Sequence, residues 1–400
     1  MNRRIKTILS FAAAALLSQA GFALETGGLL TNDSKFANAE KNGSLKLNQK
    51  SGVNLWFRNP VSKDGSCYIA GEGAFQTEYD ASVADSDKKL KLYADLNLLK
   101  LNVKKEMESG DITFAAGRFY NSDLSGLVFT QNADGLKLDA SLSRFEVSLY
   151  GAYTGLLNAK NITIIGDTTN LNDKEKKVYV VANKFMVGGL TVSLPYIFAS
   201  QTISMEGFGA LSLESKKLNR FYGTLALNGP IVSPVFYSFS STIGFFKYEK
   251  EDMIKGNLTR ASVSVYPDFK SMSVSLNALY ASGKQGPFKA FQGFTKGTAV
   301  NSLLEPGYSA LLTTGLSATI KPISNLLLYA SGDVVFDAQA GAEKNDIKQA
   351  GFQYAAGFNY QVLSDVSLGA NFTQYIGKEE YDSTIGAKKT QLRISAAVAF

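Results

Sequence analysis

Apolar and polar residues alternate with a period of two, in segment after segment, from about residue 43 to the end of the chain, and no other feature restricts the fold as much. In Leu90-Lys91-Leu92-Tyr93-Ala94-Asp95-Leu96-Asn97-Leu98 every even-numbered residue is apolar and every odd-numbered one is polar or aromatic. A strand places such apolar groups on one face, whereas a helix would scatter them. The pattern recurs over 136–142, 145–153, 272–280 and 366–372. The segments run to about ten to fourteen residues, against the roughly 9–11 that cross a bilayer at a tilt. Beyond residue 23 no run of eighteen apolar residues occurs, so no transmembrane helix is expected.

Soluble sandwiches also alternate, and connection lengths separate the two architectures. Read backwards from Phe400, 378–386 is a longer connection, Leu363-Ser364-Asp365 short, 338–348 long, 321–325 short, 281–308 very long and 267–271 short. Further short turns are expected near Gly188-Gly189, at Leu142-Ser143-Arg144 and at Glu108-Ser109-Gly110. Long loops on one side and tight turns on the other is the habit of outer-membrane barrels. The reading is an all-β protein, a transmembrane antiparallel β-barrel of about sixteen strands, with fourteen to eighteen admissible. Sixteen candidates begin at 66–80; the stretch 90–107 changes phase at Leu98-Leu99, and 45–58 would add one or two more.

Residues 1–23 read as a signal peptide: Arg3, Arg4 and Lys6 form a basic head, Ile8 to Leu17 an apolar run too short to span as a helix, and Gly21-Phe22-Ala23 a small-residue cleavage site. The mature chain is expected to start at Leu24, with 24–42 a periplasmic segment and 43–400 the barrel. The last segment alternates Leu392, Ile394, Ala396, Val398 and Phe400 with polar or small partners. It resembles the C-terminal assembly signal of Gram-negative-type outer-membrane proteins, which implies that Phe400 addresses the chain to the barrel assembly machinery.

The sequence contains no His, which removes the commonest general base and the commonest nitrogen ligand for zinc. Cys67 is the only cysteine, so neither an internal disulfide nor a cysteine metal cluster can form. No enzyme activity, metal or cofactor is expected. The first twenty-three residues hold three bases and no acid, leaving the rest with half of the formal +6, and no stretch interleaves bases with aromatics as nucleic-acid binding would require.

With Leu90 to Leu98 turned to lipid, the same phase points Lys91, Asp95, Lys137, Asp139, Glu146, Arg260 and Arg393 into the lumen. Charges of both signs inside a wide barrel make a polar pore. Four lysine pairs, Lys88-Lys89, Lys176-Lys177, Lys216-Lys217 and Lys388-Lys389, precede strands that descend from the cell exterior. Lys89, Lys177 and Lys389 are thus expected at the external rim, turned inward, giving weak anion preference. The expected function is passive diffusion of small hydrophilic solutes, in contact with outer-membrane lipid; homo-oligomers are left open. A substrate-specific channel of the fatty-acid transporter type, which would need an N-terminal plug, and a surface adhesin or structural barrel are the alternatives.

One segment resembles a family. Ala116-Gly117-Arg118-Phe119, then Asp123, Ser125-Gly126, Phe129 and Asp134-Gly135, followed by Ala152-Tyr153-Thr154-Gly155-Leu156-Leu157, resembles outer-membrane barrels of spirochaetes and, more distantly, general porins. The resemblance implies that 120–134 is a constriction loop folded into the lumen and that Arg118 is a pore residue. Strict alternation from Ile112 and Phe114 turns Arg118 toward lipid instead, so the assignment requires a bulge.

Overall fold

The computed structural model describes residues 24–39, 44–82, 89–162, 164–165, 177–214, 218–249, 252–283, 289–296, 303, 309–338, 347–377 and 390–400. Among them are eighteen strands. The first six are β1 (Glu25–Ala39), β2 (Ser44–Pro60), β3 (Cys67–Ser82), β4 (Lys89–Met107), β5 (Gly110–Ser122) and β6 (Thr130–Leu142). There follow β7 (Glu146–Tyr153), β8 (Phe185–Leu194), β9 (Thr202–Ser212), β10 (Leu218–Val232), β11 (Val235–Tyr248) and β12 (Ile254–Val265). The last are β13 (Ser273–Ala281), β14 (Leu311–Ile323), β15 (Leu326–Asp337), β16 (Lys348–Gln361), β17 (Val366–Gly377) and β18 (Thr390–Ala399).

Each strand pairs antiparallel with the next in sequence, and β18 pairs with β1, from Leu29 opposite Ala399 to Asn38 opposite Thr390, so the sheet closes on itself. Closure leaves no free sheet edge, the condition for a β-structure to stand in hydrocarbon. Short connections, 61–66, 108–109, 143–145, 195–201, 233–234, 266–272, 324–325 and 362–365, all lie at one end; 123–129 and the described parts of the connections 154–184 and 282–310 lie at the other. Leu90, Leu136, Leu276 and Leu316, each more than half exposed, sit on the outer face and make it apolar. No helix of the described residues is long and apolar enough to cross a membrane.

Three expectations need correction. Residues 25–39 form β1 in the wall, hydrogen-bonded to β2 and β18, rather than a periplasmic segment. The alternation is weak there because Asn32 and Ser34 stand among its outward residues. Gly188-Gly189 lies inside β8, paired to Gly151 and Tyr150 of β7, and the turn is at 195–201. Finally, Lys177 precedes no strand: β8 begins at Phe185, so Lys177 belongs to the long connection 154–184. The phase change in β4 has a plain cause. Glu72 pairs with Leu98 and Gly73 with Leu96, so Asn97 is the extra residue of a β-bulge. Before it the even-numbered Leu90, Leu92 and Leu96 face outward, and after it the odd-numbered Leu99, Leu101 and Val103 do.

Candidate functional site: the barrel lumen

The inner face carries ion pairs. Arg393 meets Asp33 at 2.6 Å, Lys91 meets Asp80 at 2.9 Å, Lys137 meets Asp139 at 3.1 Å, and Lys50 meets Glu78 at 3.6 Å. Amides knit the same wall: Asn48 donates to Glu78 and Asp80, and both Asn54 and Asn97 to Glu72. Although they point inward, the side chains of Lys50 and Arg393 keep 48% and 49% of their exposure, and Glu146, Arg260 and Lys321 are also exposed. Such groups hold their hydration only where water enters, so this part of the lumen is wet. A recess of about 580 Å³ lies here, lined by Asp33, Lys50, Gln76, Lys321, Gln361 and Arg393.

The long-loop half of the opposite side is dry. Tyr150, Phe185, Phe208, Tyr222 and Phe246 project inward from β7 to β11 and pack on Leu127, Val128 and Phe129 of the 123–129 loop and on Phe291 and Phe294 of the 282–310 connection. Phe129 stacks on Phe208 at 5.0 Å between ring centroids, and Phe185 meets Phe294 edge-on at 5.2 Å. These separations fall within the range at which aromatic pairs attract. Backbone bonds lock the loops together: Phe294 and Thr295 donate to the Val128 carbonyl, and Ile165 donates to Phe294.

Two buried ionisable side chains from the wall hold this plug. The Arg220 guanidinium of β10 donates to the carbonyl of Ile165 at 2.6 Å and to those of Gly293 and Phe294 at 3.3 Å, and lies 5.5 Å from the Phe294 ring centroid. Glu206 of β9 accepts from Leu124 N at 3.0 Å and from the Thr191 hydroxyl at 2.8 Å. Within the 123–129 loop, Asp123 accepts from the amides of Ser125, Val128 and Phe129 and from the Ser125 hydroxyl, so one carboxylate ties the loop into a compact turn.

The expected pore residues therefore part company. Lys91, Lys137, Asp139, Glu146, Arg260 and Arg393 stand on the inner wall. Arg118 and Asp95 do not line open water. Pairing between β4 and β5 stops at Leu99 opposite Arg118, which leaves the 89–98 half of β4 without a strand partner on that side, where Ala94 donates to the Val178 carbonyl and accepts from the Asn158 amide. Gly117, at φ 122°, makes the departure, and a Cβ there would strike the Leu99 carbonyl. Arg118 then caps the open edge: it donates to Leu96 O at 2.9 Å and Leu156 O at 2.8 Å and grips Asp134 with two bonds of 2.8 Å. Asp95 lies 3.7 Å away and accepts from Asn161. The irregularity that the Gly-Arg pair requires is a positive-φ glycine, and the result is a clasp rather than a pore residue.

The segment folded inward is 123–129, shorter than the expected 120–134, because Tyr120 to Ser122 continue β5 and Thr130 to Asp134 open β6. At the rim, Lys89 stands exposed at the start of β4 and Lys177 is exposed in its loop; Lys389 lies outside the described residues. Phe400 exchanges backbone hydrogen bonds with Gly28 of β1 at 2.8 and 3.0 Å. Sequence reasoning missed Arg220, Glu206 and Phe294. The first two look like any inward polar residue of an alternating strand, and Phe294 lies in a connection without periodicity.

Comparison with known proteins supplies the fold. Neither a family model nor a curated protein matches the chain. Among solved structures, Acinetobacter baumannii OccAB1 superposes with a TM-score of 0.64 at 11% identity, covering 96% of this chain and 98% of that one. Pseudomonas aeruginosa OccK7 gives 0.63 at 10% identity over 96% and 99%, and the outer membrane protein OprD of Pseudomonas aeruginosa 0.61 at 12% identity over 96% and 95%. The fold is that of a closed, porin-like antiparallel β-barrel. At such identities the likeness concerns architecture, and it lends no support to the spirochaete resemblance.

Proposed function

We propose that the chain is a passive channel for small hydrophilic solutes across a bacterial outer membrane. The observation that carries this reading is the hydration of inward charges: Lys50, Lys321 and Arg393 stay exposed around the recess, and Arg260 stays exposed elsewhere on the inner wall, while the plug fills the other side. An 18-stranded wall is wide enough to leave an aqueous path beside such a plug. Export is assigned to residues 1–23 as a cleaved signal, and assembly to contacts of β18 with the barrel assembly machinery. The role is transport without catalysis. Single-channel recording of the purified barrel in planar bilayers tests it. Discrete, voltage-independent conductance steps are expected, and an electrically silent barrel would return the chain to the adhesin or structural reading.

A narrower, substrate-selective path is the second reading, favoured by the interlocking of 123–129, 164–165 and 289–296 at the long-loop end of the lumen. Liposome swelling with sugars and amino acids of graded size distinguishes the two. A smooth fall of rate with size supports general diffusion, and rates set by chemical type at constant size support selectivity. The fatty-acid transporter form of this reading loses its N-terminal plug, since residues 25–39 are wall.

A further inference from the structure

We infer that the outer face of β1, β2 and β3 docks a second copy of this chain. On most strands the outward residues in the middle of the wall are apolar or glycine. On these three they are not. Asn32 pairs across the sheet with Ser51 and Ser51 with Thr77, while one step toward the long-loop end Ser34 pairs with Gln49. That these five side chains face outward follows from their phase. Leu30 on β1, Leu55 on β2 and Phe75 on β3 share it and are 48%, 56% and 46% exposed, whereas Asp33, Lys50 and Glu78, in the opposite phase, form the lumen pairs described above.

The five polar groups form an island inside the apolar band. Leu30, Val53 and Phe75 bound it toward the short turns, Phe36 and Leu47 toward the long loops, Ala396 and Ile394 on the β18 side, and Leu90 and Leu92 on the β4 side. Hydrogen bonding satisfies it only in part: Asn32 donates to the Ser51 hydroxyl at 2.8 Å, Ser34 to the Asn32 carbonyl oxygen at 3.2 Å, and the Thr77 hydroxyl to the Ser51 backbone carbonyl at 3.4 Å. Among the described residues the Gln49 amide has no partner. A second outward polar group, Ser241, Asn257 and Thr259, is by contrast closed on itself, with Asn257 donating to Ser241 and to the Thr242 carbonyl and accepting from Thr259.

Acyl chains offer nothing to an open amide, and an unsatisfied group in hydrocarbon is costly. The depth excludes a lipid headgroup, because the island sits mid-strand with apolar rows above and below. The absence of charge in it gives a charged partner no purchase. A primary amide both donates and accepts, so around a two-fold axis Gln49 of one copy meets its own complement, the self-matching that a dimer of identical chains requires. Small side chains also let the two walls approach. Beside the island a dent of about 370 Å³, lined by Leu30, Val53, Phe75, Thr77, Ala396 and Val398, provides relief into which apolar side chains of the partner can pack. The inference rests on the barrel being embedded in a membrane and not on its conducting solutes.

The test uses the full chain in native outer membranes. In a Cys67→Ser background, Gln49→Cys is compared with Leu225→Cys, an outward position on β10. Oxidation is expected to give a band of twice the chain's mass at Gln49→Cys and little at Leu225→Cys. Equal cross-linking at both, none at either, or a product of any other mass overturns the proposal. As a second measurement, subunit counting by photobleaching of labelled barrels in lipid is expected to give two steps for the parent and one for the combined variant Asn32→Leu, Gln49→Leu, Ser51→Ala, with heat-modifiable migration and conductance per barrel unchanged. One step for the parent overturns it as well. Silent but dimeric barrels would instead count against the channel reading alone.

Discussion

Arg118 and Arg220 are both buried cations, and what surrounds each decides what its loss will do. Arg118 meets two carboxylates, Asp134 at 2.8 Å and Asp95 at 3.7 Å. Arg118→Leu leaves them facing each other at a dry fork in the sheet, and breaking a buried pair by removing one partner costs about 3–5 kcal/mol. The expected outcome is a lower midpoint in urea unfolding, partly restored by adding Asp134→Asn. Arg220 donates only to carbonyls among its described partners. Arg220→Met therefore leaves no unpaired acid there and acts on the loops it holds. We expect an unchanged folded fraction, a larger and noisier single-channel conductance, and faster proteolysis within 282–310. A conductance equal to that of the parent would mean that the plug does not narrow the path. Neither role was legible in the sequence. An arginine on an alternating strand reads as lumen-facing whether it meets water or backbone, and the carbonyls that decide the matter arrive from loops without periodicity.

At the level of the strands the sequence was far more legible, because a period of two follows directly from the pleat and needs no tertiary information. Leu276 is 53% exposed on the outer face of β13, whereas its neighbour Asn277 donates to Ser317 on the inner face at 3.0 Å. Leu276→Lys is expected to cost about 2–4 kcal/mol if it lies near the bilayer midplane, and Asn277→Lys much less, in refolding titrations into lipid. Equal costs would reverse the face assignment. The strand that was missed, β1, has an outward face interrupted by Asn32 and Ser34, and the turn that was misplaced fell on two glycines that serve as sites of close strand approach. Closure between β1 and β18 also carries a prediction. The Phe400 ring covers Gly28, where a Cβ would collide with it. Removing Phe400 or making Gly28→Val should each reduce the heat-modifiable folded fraction, while Gly207→Val, at a glycine whose Cβ direction is open, should not.

For the molecule as a whole, selectivity depends on charge that the lumen leaves uncompensated rather than on the number of lysines at its mouth. Of the three expected rim lysines, Lys177 belongs to a long connection and Lys389 lies outside the described residues, so the inner wall carries the argument. There Arg393, Lys91, Lys137 and Lys50 each have an acid within 4 Å. Among the described residues Arg260 and Lys321 have none, and both are exposed, against one exposed inward acid without a basic partner, Glu146. Ion pairs in water nearly cancel at a distance, whereas a lone cation beside a low-dielectric wall keeps a field that acts on passing ions. Weak anion preference follows, fading as salt shortens the screening length to about 3 Å near 1 M. Reversal potentials across a salt gradient are expected to show it at low ionic strength. Arg260→Gln with Lys321→Gln should abolish it, whereas Lys137→Gln with Asp139→Asn, which removes a neutral pair, should leave it in place. Cation preference in the parent, or anion preference that survives loss of Arg260 and Lys321, would place the selective charge in the external loops instead.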